Sequence, residues 1–373
     1  MIQLSLSGKR GSVWIIPGWI LWPFALMYGF VVRIRNLLFD KQIIRPARFN
    51  IPVILIGNLA AGGTGKTPCV DYVATLLEKE LRLAILSRGY GRKTKGFHVA
   101  ETTNTWQAVG DEPLQLKLKH PDVTVAVNEN REEGIRNLIG DPFQAQCILM
   151  DDGFQHRWVA PGLSILLTDY SKPYSSDHLL PMGYLREHRS GSKRADIIVV
   201  TKAPPVRSPV SDKAMIRKLK PLPHQQVFFS YLLYGDLIPA NEAASHWGQT
   251  SDVHTALLIT GIANPDPLAD HLRLLFSNLS HLRFPDHHPF SERDVKKITE
   301  AFLNLFQKSK VIITTEKDIS RMKHGHAFGM LRDFPVFYIP VSMGFHENYR
   351  GQHFHQTILN YVRESKSSGG VDQ

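Results

Sequence analysis

The sequence has 373 residues, of which 43% are hydrophobic and 21% are charged, and its 44 Lys and Arg residues against 34 Asp and Glu give a net charge of +10. This composition excludes a disordered chain, a collagen-like repeat and a small disulfide-stapled fold. At roughly 100 to 200 residues per domain, the length predicts about two domains. The two cysteines, Cys69 and Cys147, form no Cys-x-x-Cys pair. We therefore expect neither a disulfide framework nor a zinc site, and a reducing cytosol is the expected compartment.

Residues 1–49 form a segment of their own. Seven basic residues but only one acidic residue, Asp40, lie in the first fifty positions, and residues 13–32 carry no charge. A helix of about 20 apolar residues can cross a hydrocarbon layer of roughly 30 Å, whereas Pro17 and Pro23 would interrupt it and the tryptophans favour the headgroup level. We expect a hydrophobic helix that anchors in a membrane or lies in its surface, rather than a buried core helix or a cleaved signal peptide.

The rest of the chain is only mildly basic. It shows no stretch in which basic residues alternate with aromatic or helical reading elements, and nucleic-acid binders usually carry such a surface on the folded domain. Nucleic acid is therefore not an expected partner.

From residue 50 the pattern changes to strand, turn and helix. Residues 52–56 predict a buried parallel strand, and GNLAAGGTGKT at residues 57–67 precedes a predicted helix. A glycine-rich turn in this position points backbone N–H groups and a helix N-terminus at phosphate oxygens. Lys66 can reach the β- and γ-phosphates of a nucleotide, and the Thr67 hydroxyl can ligate Mg²⁺. Ala60 stands where the general phosphate-loop pattern has glycine, so the match to that pattern is imperfect.

Carboxylates follow or open several predicted elements. The apolar run at residues 147–150 leads directly into Asp151 and Asp152, the place where P-loop enzymes support magnesium. GDEP opens a predicted helix with Asp111, which on its own is an ordinary complement of the helix dipole.

The polar loop LLPMGYLREHRSG, at residues 179–191, lies between two predicted strands. Open α/β sheets bind ligands at the edge where such loops lie, so this loop is a candidate ligand contact.

The second half of the chain predicts another, smaller α/β layer. Residues 203–223 mix proline with charge and are expected to cross between domains, and residues 227–238 are expected to form a β-ribbon. Ser291 with Asp294 predicts a capping box before a helix over residues 292–306. We therefore predict an α/β protein with three parts: a hydrophobic N-terminal helix within residues 1–49, a P-loop kinase-like parallel-sheet domain over residues 50–205, and a smaller α/β domain over residues 206–373.

Nine motifs occur in an order that resembles one family: GNLAAGGTGKT, SRGYGR, GDEP, DDGFQH, LLPMGYLRE, VTKAP, GIANP, FPDHHPF and TTEKD. The sequence resembles the tetraacyldisaccharide 4′-kinases of lipid A synthesis, from the hydrophobic N-terminus to about Val341. The phosphate loop alone is shared by many unrelated enzymes, but DDGFQH followed by LREH and FPDH is specific.

The resemblance implies an activity and a place. It implies transfer of the γ-phosphoryl group of ATP, with Mg²⁺, to the 4′-hydroxyl of a tetra-acylated glucosamine disaccharide 1-phosphate. Because this acceptor is a membrane lipid, the implied location is the cytoplasmic face of the inner membrane of a Gram-negative bacterium, with the membrane surface as a partner. No obligate protein partner is implied.

The resemblance also implies roles for individual residues. Asp111 looks like the base that takes the proton of the attacking hydroxyl, and His287 looks like its partner across a cleft to which the smaller domain contributes. An aspartate near its reference pKa of about 3.9 is a weak base, so a histidine neighbour is physically useful. Lys66 is the third implied catalytic residue. The residues implied to hold ATP are Ala60, Ala61, Gly62, Gly63, Thr64, Gly65, Lys66, Thr67 and Arg131; those implied at magnesium are Thr67, Asp151, Asp152 and Gln155; those implied at the substrate are Tyr90, Arg186 and Glu187.

Three other classes of protein are also compatible with the sequence. The leading alternative is a membrane-associated P-loop ATPase that acts as a switch or positioning factor. Such proteins carry a signature lysine immediately before the paired glycines, and here that residue is Ala61. A nucleotide-binding regulator would perform no chemistry. A metal enzyme is suggested by the 17 histidines, although they are scattered without an HExxH motif or a Cys/His quartet.

Overall fold

The computed structural model describes residues 18–247, 253–307, 309–323, 326–348 and 351–368. Its α-helices are α1 Gly18–Asp40, α2 Lys66–Leu77, α3 Trp106–Val109, α4 Asp111–Lys119, α5 Arg131–Ile139, α6 Pro209–Leu219, α7 Glu242–Ser245, α8 Asp266–Leu275, α9 Glu292–Leu303, α10 Glu316–Lys323 and α11 Phe354–Ser368. Its strands are β1 Val53–Asn58, β2 Leu83–Ser87, β3 His98–Val99, β4 Thr124–Val127, β5 Cys147–Asp151, β6 Leu163–Asp169, β7 Ile197–Thr201, β8 Gln226–Tyr234, β9 Ile238–Pro239, β10 Thr255–Thr260, β11 Asn278–Arg283, β12 Lys310–Thr315, β13 Val336–Ile339 and β14 Val341–Phe345.

The chain divides into two compact units, each with its own sheet. Unit 1 contains Met1–Arg88, Asp122–Tyr231 and Gly344–Gln373, and unit 2 contains Gly89–Pro121 and Leu232–Met343. The sequence-based boundary between residues 205 and 206 does not coincide with this division. The chain leaves unit 1 after β2, returns before β4 and leaves it again within β8, which no single boundary can describe.

A parallel sheet forms the centre of unit 1, in the order β8–β7–β6–β1–β5–β2–β4. Strands β1, β2, β5 and β7 are buried along their whole length, as expected for apolar runs that are covered on both faces. In the pairing of β1 with β5, Ile56 lies opposite Asp151. The loop after β1 and the carboxylates after β5 therefore leave the sheet side by side, at the edge where parallel sheets bind ligands.

The β-ribbon expected at residues 227–238 is not formed. β8 pairs in parallel with β7, and β9 pairs with β13 in the sheet of unit 2. Val227, Phe228 and Phe229 are all buried. Successive buried residues suit a strand covered on both faces, whereas a ribbon with one wet face needs alternation.

Unit 2 is the smaller α/β layer that the sequence predicts. Its sheet has the order β11–β10–β12–β13–β9 and is parallel except for the last pairing. Alternate residues of β10 and β12 enter two separate apolar cores, one formed with α9 and α10 and the other with α8. At the start of α9, the capping box of Ser291 and Asp294 is present. The α/β fold predicted from the sequence is thus confirmed.

Helix α1 exposes much of its apolar surface. Trp22, Phe24, Met27, Phe30 and Val31 are each more than half exposed. An ion pair attaches the last turn of α1 to the rest of unit 1. In this pair, Oδ1 of Asp40, the C-terminal residue of the helix, lies 2.7 Å from Nη2 of Arg157. Within the described residues, no helix has the length and apolar character that crossing a membrane requires. The part of the uncharged run before Gly18 lies outside the described residues.

Candidate active site

The turn after β1 has the backbone geometry of a phosphate-binding loop. Gly62 and Gly65 have φ angles of 108° and 83°, which glycine adopts at no steric cost. Helix α2 begins at Lys66, and its N-cap, Gly65, has no side chain that could occupy the first helical N–H groups. These N–H groups favour an anion. Asn58, fully buried at the end of β1, donates from Nδ2 to Thr64 Oγ1 at 2.6 Å and holds the loop closed.

Ala60, which replaces the first glycine of the general motif, lies in an extended segment. It forms an antiparallel β-bridge with Leu185. Next to that bridge, the Arg186 N–H donates to the Leu59 carbonyl oxygen at 2.7 Å. Alanine adopts extended backbone without strain, so this position needs no glycine. The departure from the general motif thus has a local cause, the pairing with the loop at residues 179–191.

Lys66, Asp152 and Arg186 form a charged cluster beside this loop. Lys66 Nζ lies 3.7 Å from Asp152 Oδ1, and Arg186 Nη1 lies 3.1 Å from Oδ2 of the same carboxylate. Burial alone would raise the pKa of Asp152, but the charges of Lys66 and Arg186 outweigh burial and hold it below its ordinary value. Asp152 has a φ of 50°, which is uncommon outside glycine and occurs often at functional sites. The cluster places two cations where they can oppose phosphate charge.

Asp151 and Arg131 are buried at the end of β5. Ser87 Oγ donates to Asp151 Oδ2 at 3.2 Å. Arg131 begins α5, is 1% exposed and donates from Nη2 to the Asp151 main-chain oxygen at 3.2 Å. Its Nη1 donates to the main-chain oxygen of Asn128. Arg131 therefore braces the backbone that carries Asp151.

The oxygen atoms near the loop are of the kind that Mg²⁺ prefers. They comprise the Thr67 hydroxyl in the first turn of α2, the carboxylates of Asp151 and Asp152, and Asn58 Oδ1, a buried oxygen that accepts no hydrogen bond from the described residues. In proteins, Mg²⁺ is usually held by one or two carboxylates together with substrate phosphates. The described residues contain no group of three or more His, Cys, Asp and Glu side chains that could hold a metal by themselves. The chemistry of the oxygen donors named above fits Mg²⁺.

Gln155 and Glu187 form a second polar group in unit 1. Gln155 Nε2 donates to the Asn58 main-chain oxygen at 2.7 Å and lies 3.3 Å from Glu187 Oε1. Glu187 is fully buried and pairs with Arg194 at 2.8 Å. Its other oxygen accepts a hydrogen bond from Asn36 of α1 at 3.1 Å. Glu187 therefore ties α1 to the turn that follows β5.

In unit 2, Asp111 and His287 form a hydrogen-bonded pair. His287 Nδ1 lies 2.9 Å from Asp111 Oδ2, and Asp111 Oδ1 accepts from the Glu112 N–H at 3.0 Å. His287 has a φ of 59°, and its N–H donates to the Gly261 carbonyl oxygen at 3.1 Å. The His287 side chain is 42% exposed, against 11% for Asp111. The pair joins the GDEP and FPDHHPF motifs and presents its imidazole to solvent.

Two cations lie against the same carboxylate. Arg321 Nη2 donates to Asp111 Oδ2, and Lys317 Nζ lies 3.6 Å from that oxygen. Burial would raise the pKa of Asp111, but the hydrogen bond from His287 and the charges of Lys317 and Arg321 hold it well below its usual range. The carboxylate is therefore ionised near neutral pH. Because an ionised carboxylate only accepts hydrogen bonds, Nδ1 of His287 carries the shared proton.

Tyr90 and His288 flank this pair and differ in their surroundings. Tyr90 is 80% exposed, and its ring centre lies 6.4 Å from that of His287. His288 Nε2 lies 3.0 Å from Asp294 Oδ2, and its ring stacks on Phe284. Of the two adjacent histidines, His287 faces Asp111 and His288 faces the capped start of α9.

The structure places the predicted site residues in two sets. Unit 1 holds residues 60–67, Arg131, Asp151, Asp152, Gln155, Arg186 and Glu187, and unit 2 holds Tyr90, Asp111 and His287. Sequence reasoning missed Lys317 and Arg321. Lys317 belongs to the TEKD motif after a predicted strand, which was a usable signal. Arg321 lies 210 positions from Asp111, and no local pattern connects the two.

A family model described as tetraacyldisaccharide-1-P 4′-kinase matches residues 17–362. The match includes both the phosphate-binding loop and the Asp111–His287 pair. The chain belongs to the tetraacyldisaccharide-1-P 4′-kinase family. Membership of a 4′-kinase family does not favour the alternative of a P-loop ATPase that acts as a switch.

Individual proteins similar to this chain carry the same description as the family. The tetraacyldisaccharide 4′-kinase of Flavobacterium johnsoniae is 42% identical over 347 residues, covering 93% of this chain and 97% of the relative. The tetraacyldisaccharide 4′-kinase of Bacteroides thetaiotaomicron is 41% identical over 368 residues, covering 95% of each chain. A crystal structure of LpxK from Aquifex aeolicus in complex with ATP superposes with a TM-score of 0.69 at 25% identity, covering 93% of this chain and 99% of that one.

Proposed function

We propose that the chain transfers the γ-phosphoryl group of ATP to the 4′-hydroxyl of a tetra-acylated glucosamine disaccharide 1-phosphate, a step of lipid A synthesis. The observation that carries the proposal is the Lys66–Asp152–Arg186 cluster beside a loop with two left-handed glycines, in a member of the 4′-kinase family. ATP as the donor is supported by the ATP complex of the Aquifex aeolicus relative.

Phosphoryl transfer depends mainly on positioning and on neutralising charge. The N–H groups of residues 60–67 and the first turn of α2 bind the phosphates, and Lys66 opposes the charge of the transferred group. Arg186 adds a second cation at the same carboxylate. Arg131 supports the site through the main chain of Asp151.

Mg²⁺ is the metal that the nearby oxygen donors fit. Thr67, Asp151, Asp152 and Gln155 would hold it together with the phosphates of ATP. When bound, Mg²⁺ neutralises charge on the phosphoryl oxygens.

The Asp111–His287 pair accepts the proton of the 4′-hydroxyl. General acid–base catalysis of this kind contributes about 10²- to 10⁴-fold to a rate. Tyr90, exposed beside His287, is proposed to contact the sugar. Arg186 and Glu187 are also proposed at the substrate, Arg186 through its guanidinium and Glu187 by fixing the loop that carries both residues.

The lipid acceptor requires an enzyme that works at a membrane surface. Helix α1 exposes Trp22, Phe24 and Phe30 together with Arg33 and Arg35, a combination that suits an interface containing anionic lipid. Tyr28 of the same helix donates from its hydroxyl to the Arg186 carbonyl oxygen at 2.6 Å. We place the enzyme at the cytoplasmic face of the inner membrane, with α1 against the lipid.

The test is label transfer from ATP by the purified full-length chain in detergent micelles, with and without a lipid A precursor that lacks the 4′-phosphate. We expect the label on the 4′ position of the lipid, located by NMR, and little ATP turnover without the lipid. Equal turnover without lipid, with label released to water, would contradict the proposal and support a switch ATPase. A Lys66→Met preparation is the blank for contaminating kinases.

A further inference from the structure

We propose that Arg321 is a positioning residue for phosphoryl transfer, which holds the Asp111 carboxylate in the orientation that His287 requires. The inference rests on the proposed function of the Asp111–His287 pair and adds to it a residue that no sequence motif assigns. Its support is the geometry of one buried guanidinium in unit 2.

Arg321 lies on α10, and its side chain is 3% exposed. Nη2 donates to Asp111 Oδ2 and lies 3.1 Å from His287 Nδ1. Nη1 donates to the Gly261 carbonyl oxygen and to Asp318 Oδ1, each at 3.1 Å. A buried cation is tolerated when it is paired and hydrogen-bonded. Here its two terminal nitrogens connect the catalytic carboxylate to a fixed main-chain oxygen.

The frame behind Arg321, formed by Gly261, Thr315 and Asp318, is itself joined by hydrogen bonds. Asp318, three residues earlier on α10, is fully buried, and its Oδ2 accepts from the Gly261 N–H at 3.0 Å and from Thr315 Oγ1 at 2.7 Å. A Cβ at Gly261 would lie 3.0 Å from Asp318 Oδ1 and 3.3 Å from the Pro285 carbonyl oxygen. Glycine therefore allows the close approach that brings the GIANP and TEKD motifs together. This frame holds both groups to which Nη1 of Arg321 donates.

The contacts of Asp111 show what Arg321 does for the pair. Asp111 Oδ1 is occupied by the Glu112 N–H, and Oδ2 is shared by Arg321 and His287. With both oxygens engaged, the carboxylate cannot rotate away from the imidazole. Lys317 cannot replace Arg321 in holding the carboxylate. Its ammonium lies 3.6 Å from Asp111 Oδ2 but only 3.1 Å from Glu112 Oε1. An ammonium is a point charge, whereas the planar guanidinium fixes direction.

Arg321 also affects the charge of the pair. The charged groups around the Asp111–His287 pair are Glu112 of α4, Asp286, and Lys317, Asp318 and Arg321 of α10. Of these, Asp286 Oδ2 lies 3.8 Å from His287 Nε2. Burial raises the pKa of Asp111, and without the guanidinium fewer cations would oppose this effect. Its carboxylate would then take up a proton at higher pH, and the acidic limb of the activity profile would move toward neutral pH.

The experiment compares Arg321→Met, Arg321→Lys and the matched control Arg332→Met, whose arginine is 82% exposed, in the lipid phosphorylation assay. For Arg321→Met we expect kcat to fall by about 10²-fold while the KM for ATP changes by less than about twofold, because only the reacting geometry is lost. The acidic limb of its kcat profile should move to higher pH. Arg321→Lys should recover part of kcat, and Arg332→Met should match the wild type.

A double-mutant cycle separates positioning from general damage. If Arg321 acts through Asp111, adding Arg321→Met to Asp111→Asn should lower kcat by less than about threefold. Circular dichroism and thermal melting check the fold. Should Arg321→Met not fold, Arg321→Met with Asp318→Asn removes the buried pair together and undergoes the same measurements.

Two results would overturn the inference. One is a wild-type kcat and pH profile in a folded Arg321 variant, and the other is a loss fully additive with Asp111→Asn. Either would leave the proposed function intact, provided that Asp111→Asn still lowers the rate of transfer by about 10²-fold. Failure of the proposed function looks different, because the wild-type chain itself would then transfer no label to the lipid.

Discussion

The phosphate-binding loop of unit 1 and the Asp111 cluster of unit 2 are built in opposite ways. The loop is one stretch, residues 57–67, whose binding groups are main-chain N–H groups shaped by two glycines with positive φ. The cluster consists of side chains from separate motifs, with partners up to 210 positions apart. A backbone site depends on local conformation, and a side-chain site depends on the tertiary fold. The two regions should therefore respond differently to substitution.

The largest effect is expected at Lys66, the side chain of the loop that opposes phosphate charge. Lys66→Met should lower kcat/KM for ATP by about 10³-fold, because a preorganised charge at the transferred group is removed. Steady-state lipid phosphorylation measures this loss. The matched control is Lys79→Met, an exposed lysine just after the same helix, and it should behave like the wild type. An equally active Lys66→Met would remove the loop from the proposed chemistry.

The next effect concerns the pair in unit 2. Asp111→Asn and His287→Gln should each lower kcat by about 10²-fold, and the double variant should be little worse than either, because the two residues act as one unit. The KM for ATP should stay close to the wild-type value. Additive losses, or a parallel rise in the KM for ATP, would show that the residues do not share one role in the reaction step.

A smaller effect tests the claim that the loop works through its backbone. Gly65 has a φ of 83°, and a left-handed conformation costs other residues roughly 1–2 kcal/mol. Gly65→Ala should therefore raise the KM for ATP by about tenfold, with kcat changed less. Ala60→Gly is the opposite control, since Ala60 is extended and paired with Leu185. If restoring the general motif at residue 60 improved ATP binding, our explanation of that alanine would be wrong.

The smallest effect on activity is expected at His288, the neighbour of His287. His288→Ala should change kcat by less than about threefold and lower the stability of unit 2 by about 1 kcal/mol, as loss of a capping interaction does. Thermal melting and the lipid assay measure the two quantities on the same protein. A loss of kcat as large as that of His287→Gln would mean that both histidines serve the reaction.

Asp294, the hydrogen-bond partner of His288, is expected to make the stability of unit 2 depend on pH. Burial raises the pKa of Asp294, but hydrogen bonds from Ser291 and His288 outweigh it and lower the value to about 2. A carboxylate with a lowered pKa contributes stability above its unfolded pKa of about 3.9. That contribution should decline as pH falls from about 4 toward 2, and Asp294→Asn should lack this part of the acid sensitivity.

The same contrast explains how much could be predicted from the sequence. The loop, the strand that ends at Asp151 and the parallel pairing of the strands in unit 1 were predicted from contiguous residues, so local pattern was sufficient for them, whereas the strand order was not predicted. The segment at residues 227–238 was misassigned, because a turn at Gly235 and Asp236 does not show whether the strands on its two sides pair with each other or with other strands. The points at which the chain crosses between the units, after residues 88, 121, 231 and 343, are a property of the tertiary fold and left no local signal.

In unit 2, the family resemblance supplied Asp111 and His287 as an expected pair, and the structure places them in hydrogen-bond contact. It supplied no role for Arg321. An arginine on an amphipathic helix has the pattern of a solvent-exposed residue, and only the folded arrangement of Gly261 and Asp318 buries it. The environment of the carboxylate, and with it the lowered pKa of Asp111, was therefore beyond sequence reasoning.

The central claim is that nucleotide binding belongs to the loop of unit 1 and the proton-accepting step to the Asp111 pair of unit 2. Calorimetric titration of ATP into the full-length Asp111→Asn protein, beside its rate of lipid phosphorylation, tests this most directly. We predict a Kd for ATP within about twofold of the wild type and a phosphorylation rate lower by about 10²-fold. A loss of ATP affinity in proportion to the loss of rate would contradict the claim.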